Sequence, residues 1–185
     1  MALWGTSTAD ESKPKWLTAE QKKSVYATDR GWVQLNGKGL EEVICAIGEL
    51  STGLAAATIS SIEFVTTSFS EAAGGNIDIR VNYNEKVTVD TSGGTPTLVV
   101  TNSQAGGGTD ATFAASYQSG SSTNRLTFRA TYAAANGGVA ENDVLTVAAQ
   151  NIALNSGTIV DTGTSPAVNS GVAIPANTIS LTASA

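Results

Sequence analysis

Histidine is absent from this 185-residue chain, and cysteine occurs once, at Cys45. The first absence removes the commonest general base and metal ligand near neutral pH. The second excludes an intramolecular disulfide and any cysteine-rich metal site. With Ile44 and Ala46 on either side, Cys45 is expected to be a buried, inert thiol. No apolar run approaches the roughly 18 residues that span a bilayer. The opening MALWGTSTADESK has neither the basic nor the apolar region of a secretory signal, so synthesis in the cytoplasm and no membrane partner are expected. Clustered basic charge is missing too. The net charge is −6, and after position 57 only Arg80, Lys86, Arg125 and Arg129 face nine acidic residues. A phosphate backbone would be repelled, so no nucleic-acid partner is expected.

Catalytic patterns are equally scarce. Ser60, Ser68 and Ser70 have no histidine to activate them, and the glycines at 106–108 lack the spacing, the lysine and the following helix of a phosphate-cradling loop. No enzymatic activity and no cofactor are expected. Glu85, Asp90, Asp110, Glu141, Asp143 and Asp161 fall at strand ends or in loops, where a sandwich can gather oxygens around calcium. No EF-hand ladder of acids accompanies them, and ordinary solvation is the preferred reading, so no metal is assigned.

What the chain does have is alternation. Between Asn76 and Tyr132, apolar and polar residues alternate between turns rich in Gly, Ser and Asn. Ile77, Ile79, Val81 and Tyr83 share one face of a strand, as do Phe113, Ala115 and Tyr117, and again Leu126, Phe128, Ala130 and Tyr132. A period of two marks strands that cover one side of a core, and several such strands need a second layer. Further strands are expected at 59–67, 87–89, 97–100, 144–148, 152–154, 158–160 and, as a last edge strand, 179–182. Glu85 and Lys86 read as a short interruption after the strand 76–83. The expected fold is all-β: a sandwich of seven or eight strands over 57–185, preceded by an N-terminal extended arm with a short helix over 1–56. Whether 34–56 belongs to the arm or to the sandwich stays open.

The arm differs in composition from the body. All three tryptophans and five of the ten basic residues lie in the first 32 positions. Thr18 with Gln21 three residues later predicts a capped helix running to about Ala27, with Leu17 stapled onto Lys22 or Val25. Such a short helix must dock on something. Asn36-Gly37 predicts a hairpin between the segments WVQL and LEEVICAI. Trp4, Trp16, Lys22, Tyr26, Arg30 and Trp32 are therefore the candidate partner-docking residues, with Lys13, Lys15 and Lys23 as further cations for acidic partners. The alternative is an arm that packs back on its own body. Phe69, at a strand end, is the body aromatic best placed for exposure to a sugar.

Four phrases, VNYNEKVTVD, GGTPTLVV, YQSGSSTNRLTFRATY and ALNSGTIVDTGTS, cover roughly residues 77–165. Their order resembles bacterial immunoglobulin-like domains repeated in large surface and adhesion proteins, and that resemblance implies an immunoglobulin-like β-sandwich. The chain departs from the pattern at Asp161 to Pro166, where the usual closing Gly-Asn is missing. The front, residues 1–33, resembles the start of structural proteins of marine T4-like phages that infect cyanobacteria. This second resemblance implies a virion structural protein of the capsid-decoration kind, made in the host cytoplasm and then localised to the virion. Its partners would be the major capsid protein or other virion subunits, and it would form a homo-oligomer or a symmetric array on the particle. A neck, tail or fibre component of the virion and a carbohydrate-binding or adhesion module are the alternatives.

Overall fold

Thr18 caps α1 (Ala19–Ser24) as its spacing predicts. Its hydroxyl accepts the Gln21 backbone N–H at 3.2 Å, while Gln21 Oε1 accepts the Thr18 N–H at 3.0 Å. In this computed structural model, which describes residues 13–54, 56–70, 72–103, 111–132, 139–161, 174 and 179–184, the helix stops three residues short of the expected Ala27. Val25 is extended (φ −79°, ψ 135°), and the next three residues leave as a strand, β1 (Tyr26–Thr28). The reason is tertiary: β1 pairs antiparallel with β2 (Gly31–Leu35), and its Ala27 lies opposite Glu85 in a parallel pairing with the body. Two strand partners outweigh one further helical turn.

The hairpin around Asn36-Gly37 forms as expected. The Asn36 carboxamide oxygen accepts the N–H groups of Lys38 and Leu40, and β2 runs antiparallel to β3 (Glu41–Ala46). A four-residue helix, α2 (Leu50–Gly53), follows. Leu17, Val25, Ala27, Trp32, Leu50 and Leu54 make a small apolar core of their own, and the expected contact of Leu17 with Val25 falls inside it. Cys45 is only half-buried against this cluster, which corrects the expected full burial.

The body contains β4 (Ile59–Phe64), β5 (Phe69–Ser70), β6 (Gly75–Asp90), β7 (Thr97–Ser103), β8 (Ala111–Ser119), β9 (Thr123–Tyr132), β10 (Val144–Val147), β11 (Thr158–Asp161) and β12 (Ile179–Ser184). With β1–β3 these make a mixed twelve-strand sheet that does not close into a barrel. Its order is β3-β2-β1-β6-β9-β8-β7-β10-β12-β5, with β4 and β11 also on β6. The β1–β6 and β12–β5 pairings are parallel, and the other strand pairings are antiparallel.

The alternating positions point inward as read. Ile77, Ile79, Val81 and Tyr83 are buried, as are Leu126, Phe128, Ala130 and Tyr132, while Phe113 and Tyr117 pack partly against them. Each fully buried Ile, Val or Phe contributes roughly 1.5–3 kcal/mol of transfer free energy.

Three expectations need correction. Glu85-Lys86 does not interrupt the strand: β6 runs through as 16 residues, with a register shift between Asn82 and Val87. There it exchanges β4 for β11 as its antiparallel neighbour, the kind of re-aiming that a bulge performs. Residues 152–154 form no strand but a single bridge, Ala153 to Thr97. The C-terminal strand is not an edge, since β12 lies between β10 and β5.

Candidate functional site at the junction of β1 and β6

On β6 the inward phase runs Ile77, Ile79, Val81, Tyr83 and then Glu85. Alternation carries a carboxylate to the place where the core continues, and Glu85 is 1 % exposed. β1 lies directly beside it through the Ala27 pairing. The result is a cleft of about 230 Å³ between the N-terminal strands and the body, lined by Ala27, Thr28, Asp29, Glu41, Ser51, Glu85, Lys86 and Asp161.

The rim and the floor of this cleft differ in electrostatics. On the rim, Glu41 of β3 accepts hydrogen bonds from Lys86 Nζ at 2.6 Å and from the Tyr26 hydroxyl at 3.0 Å, and it also pairs with Arg30. The Lys86 ammonium, helped by Tyr26 and Arg30, holds the Glu41 carboxyl below its ordinary value. Lys86 Nζ also stands 5.7 Å from the Tyr26 ring centroid, within cation–π range. Burial, followed by the neighbouring Glu41 carboxylate, raises the Tyr26 hydroxyl above its usual value.

On the floor, both carboxylate oxygens of Glu85 are shut off from solvent and have no hydrogen-bond partner among the described residues. Burial, and then the Asp161 charge, push the Glu85 carboxyl up to about 8. Asp161, at the end of β11 and fully buried, accepts the Ala57 N–H at 3.1 Å. Thr28 holds the turn above, with its hydroxyl donating to Gly31 O and accepting the Arg30 N–H.

The structure separates the residues expected to dock. Trp4 lies outside the described residues. Trp16 is 65 % exposed, the most open large apolar side chain among the described residues. Lys22 is half-buried, and its carbonyl accepts Lys13 Nζ at 2.7 Å. Tyr26 and Trp32 are sunk in the interior, so their surfaces are not open to a partner, and Arg30 is engaged by Glu41. Lys13, expected among the outward cations, is instead buried, and its ammonium ties the N-terminal unit to Ser60 on β4 at 3.0 Å. Phe69 is buried edge-on to Tyr132, ring centroids 5.7 Å apart, so it offers no open ring.

The acids weighed for calcium are not assembled as a group. Among the described residues no three or more metal-ligating side chains are gathered. Asp90 caps the Ser92 N–H, Asp143 accepts Asn102 Nδ2 and the Ala140 N–H, Glu141 is exposed, and Asp110 is outside the described residues. Of the six acids weighed, Glu85 and Asp161 do line one cleft, a pairing that the sequence reading did not single out. Its one signal was a glutamate in phase with four apolar positions.

Comparison of the chain with protein-family models, curated proteins and solved structures finds no match.

Proposed function

We propose that this chain is a non-enzymatic virion structural protein, an immunoglobulin-like sandwich whose N-terminal unit decorates or cements the outer surface of a capsid. The observation that supports it best is Trp16. The unit consumes Trp32 in its own core yet leaves the Trp16 indole 65 % exposed, beside exposed Lys15. Tryptophan is among the residue types most enriched at contact hot spots, because it offers a large apolar face with a polar edge. Covering it against the major capsid protein or another virion subunit would contribute about 2–3 kcal/mol at roughly 25 cal/mol per Å² of apolar surface. Copies arrayed by the symmetry of a particle would add such weak contacts together. The mechanism is binding alone, and the localisation follows as the virion.

Deleting residues 1–33 is too blunt a test, because it strips away β1, β2 and Trp32. Co-sedimentation with phage particles lacking the chain should compare the full-length protein with Trp16→Ala. The variant is expected to keep its stability to within about 0.5 kcal/mol, as surface substitutions do, and to lose most particle binding. Undiminished binding by Trp16→Ala, or no binding by the unaltered chain, would overturn the proposal.

A further inference from the structure

We propose that the cleft between β1 and β6 binds a hard, partly hydrated divalent cation, with Glu85 and Asp161 as its carboxylate ligands. Glu85 carries the argument. A carboxylate that is 1 % exposed, with neither oxygen hydrogen-bonded among the described residues, is a costly arrangement unless a proton or a cation neutralises it. Asp161 makes the cost larger, because it brings a second carboxylate of the same sign to the lining of the same cleft. Two acids held together on strands that pair with one another, β6 and β11, cannot separate to relieve the repulsion.

Room and charge point the same way. About 230 Å³ exceeds what a single water needs, so the cleft has room for an ion with part of its hydration shell, which must shed its water on the side of the solvent-shielded Glu85 oxygens. Among the described residues the lining has four carboxylates, Asp29, Glu41, Glu85 and Asp161, against one ammonium, Lys86, which Glu41 already engages. The donors are all oxygen, with the Ser51 hydroxyl beside the acids and neither imidazole nor thiolate in the lining. That chemistry selects calcium or magnesium over zinc or copper. Among the described residues fewer than three ligating side chains converge, so water would complete the shell, as it commonly does for magnesium and for weak calcium sites. The cation would join β6 and β11 of the body at the point where β1 attaches, stiffening the base of the N-terminal unit.

The test is calorimetric titration of the full chain, freed of metal by chelation, with calcium chloride and separately with magnesium chloride, alongside melting curves in each. Binding with Kd of about 10⁻⁴–10⁻³ M by at least one of them is expected, the range of weak oxygen-ligand sites, with a rise in melting temperature at 10-fold excess over Kd. Glu85→Gln should weaken binding by roughly tenfold or more yet melt no lower than the unaltered chain in chelator, since it removes a buried acid. Glu141→Gln, on an exposed turn, should bind as the unaltered chain does. Failure of both cations to bind, or undiminished binding by Glu85→Gln, overturns the site. Should Glu85→Gln not fold, manganese broadening of amide resonances in the unaltered chain decides. Broadening centred on residues 27–29, 84–86 and 161 supports the site, and broadening centred elsewhere overturns it.

Discussion

Replacing Trp32 with alanine is expected to unfold the N-terminal unit while leaving the body intact. Trp32 is fully buried on β2, between Ala27 of β1 and Cys45 of β3, and it is the largest member of a cluster of six buried residues. A buried tryptophan removes about 150–250 Å² from water, worth roughly 4–6 kcal/mol at 25 cal/mol per Å². One correction reduces that figure. The indole Nε1–H has no partner among the described residues, and leaving a donor unsatisfied costs about 1–3 kcal/mol. The net loss on truncation is therefore about 3 kcal/mol, within the usual range for large-to-small core changes. Trp32→Phe, which discards the unsatisfied donor along with some volume, should cost only about 1 kcal/mol by the same accounting.

Five smaller residues would then have to hold Leu17 to Leu54 together, helped by the Lys13–Ser60 hydrogen bond, the Ala27–Glu85 pairing and the Lys86–Glu41 ion pair. Of those ties only the Lys86–Glu41 pair is a partly exposed ion pair, which gives at most about 1 kcal/mol, while hydrogen bonds such as the other two supply about 0.5–3 kcal/mol each. Hydrogen exchange read by mass spectrometry should show 26–28, 31–35 and 41–46 losing protection in Trp32→Ala, while 77–81 and 126–130 keep theirs. Equal loss across the body strands would mean that the two cores unfold as one. A cost below about 1 kcal/mol would refute the packing argument itself.

Two further expectations concern the backbone and acid pH. Gly31 has φ +118°, and a Cβ there would sit 2.1 Å from the Cys45 carbonyl oxygen and 2.5 Å from the Ile47 nitrogen, so Gly31→Ala should cost about 3 kcal/mol or more by urea denaturation. Asp78 accepts two hydrogen bonds from Arg129, at 2.6 and 2.7 Å, and this guanidinium holds its carboxyl below the ordinary value. Because the folded value is depressed, the unfolded chain binds the proton more tightly, and the stability this pair supplies is present above about pH 4 and lost as pH falls further. The pair is partly exposed, so Arg129→Met should lower stability only slightly at pH 7, and that difference should shrink in acid melts as pH falls below about 4.

The features legible in the sequence are those set within a few residues of one another. Thr18 and Gln21 close their cap across three positions, and Asn36 closes its turn across four. The alternation at 77–83 and 126–132 sorts side chains by face whatever the neighbouring strands turn out to be. Partner choice lies outside such a window. Tyr26 to Thr28 continue a helical pattern locally and become a strand because β2 and β6 offer hydrogen bonds from elsewhere in the chain. Trp32 reads equally well as an anchor for another molecule or as a core residue, and only the closure of β1–β3 over Leu50 and Leu54 decides that it is core. Residues 179–182, paired with β10, look like an edge until β5, more than a hundred residues earlier, pairs with residues 183–184 at the end of the same strand. Glu85 combines both levels. Its inward phase is written in the alternation of β6, but its meeting with Asp161 required β11 to return antiparallel along the far half of that strand. Local patterns determine which way a side chain points, because they act through bonds and backbone geometry a few ångströms away. What it meets there is decided by pairings that close across the whole chain.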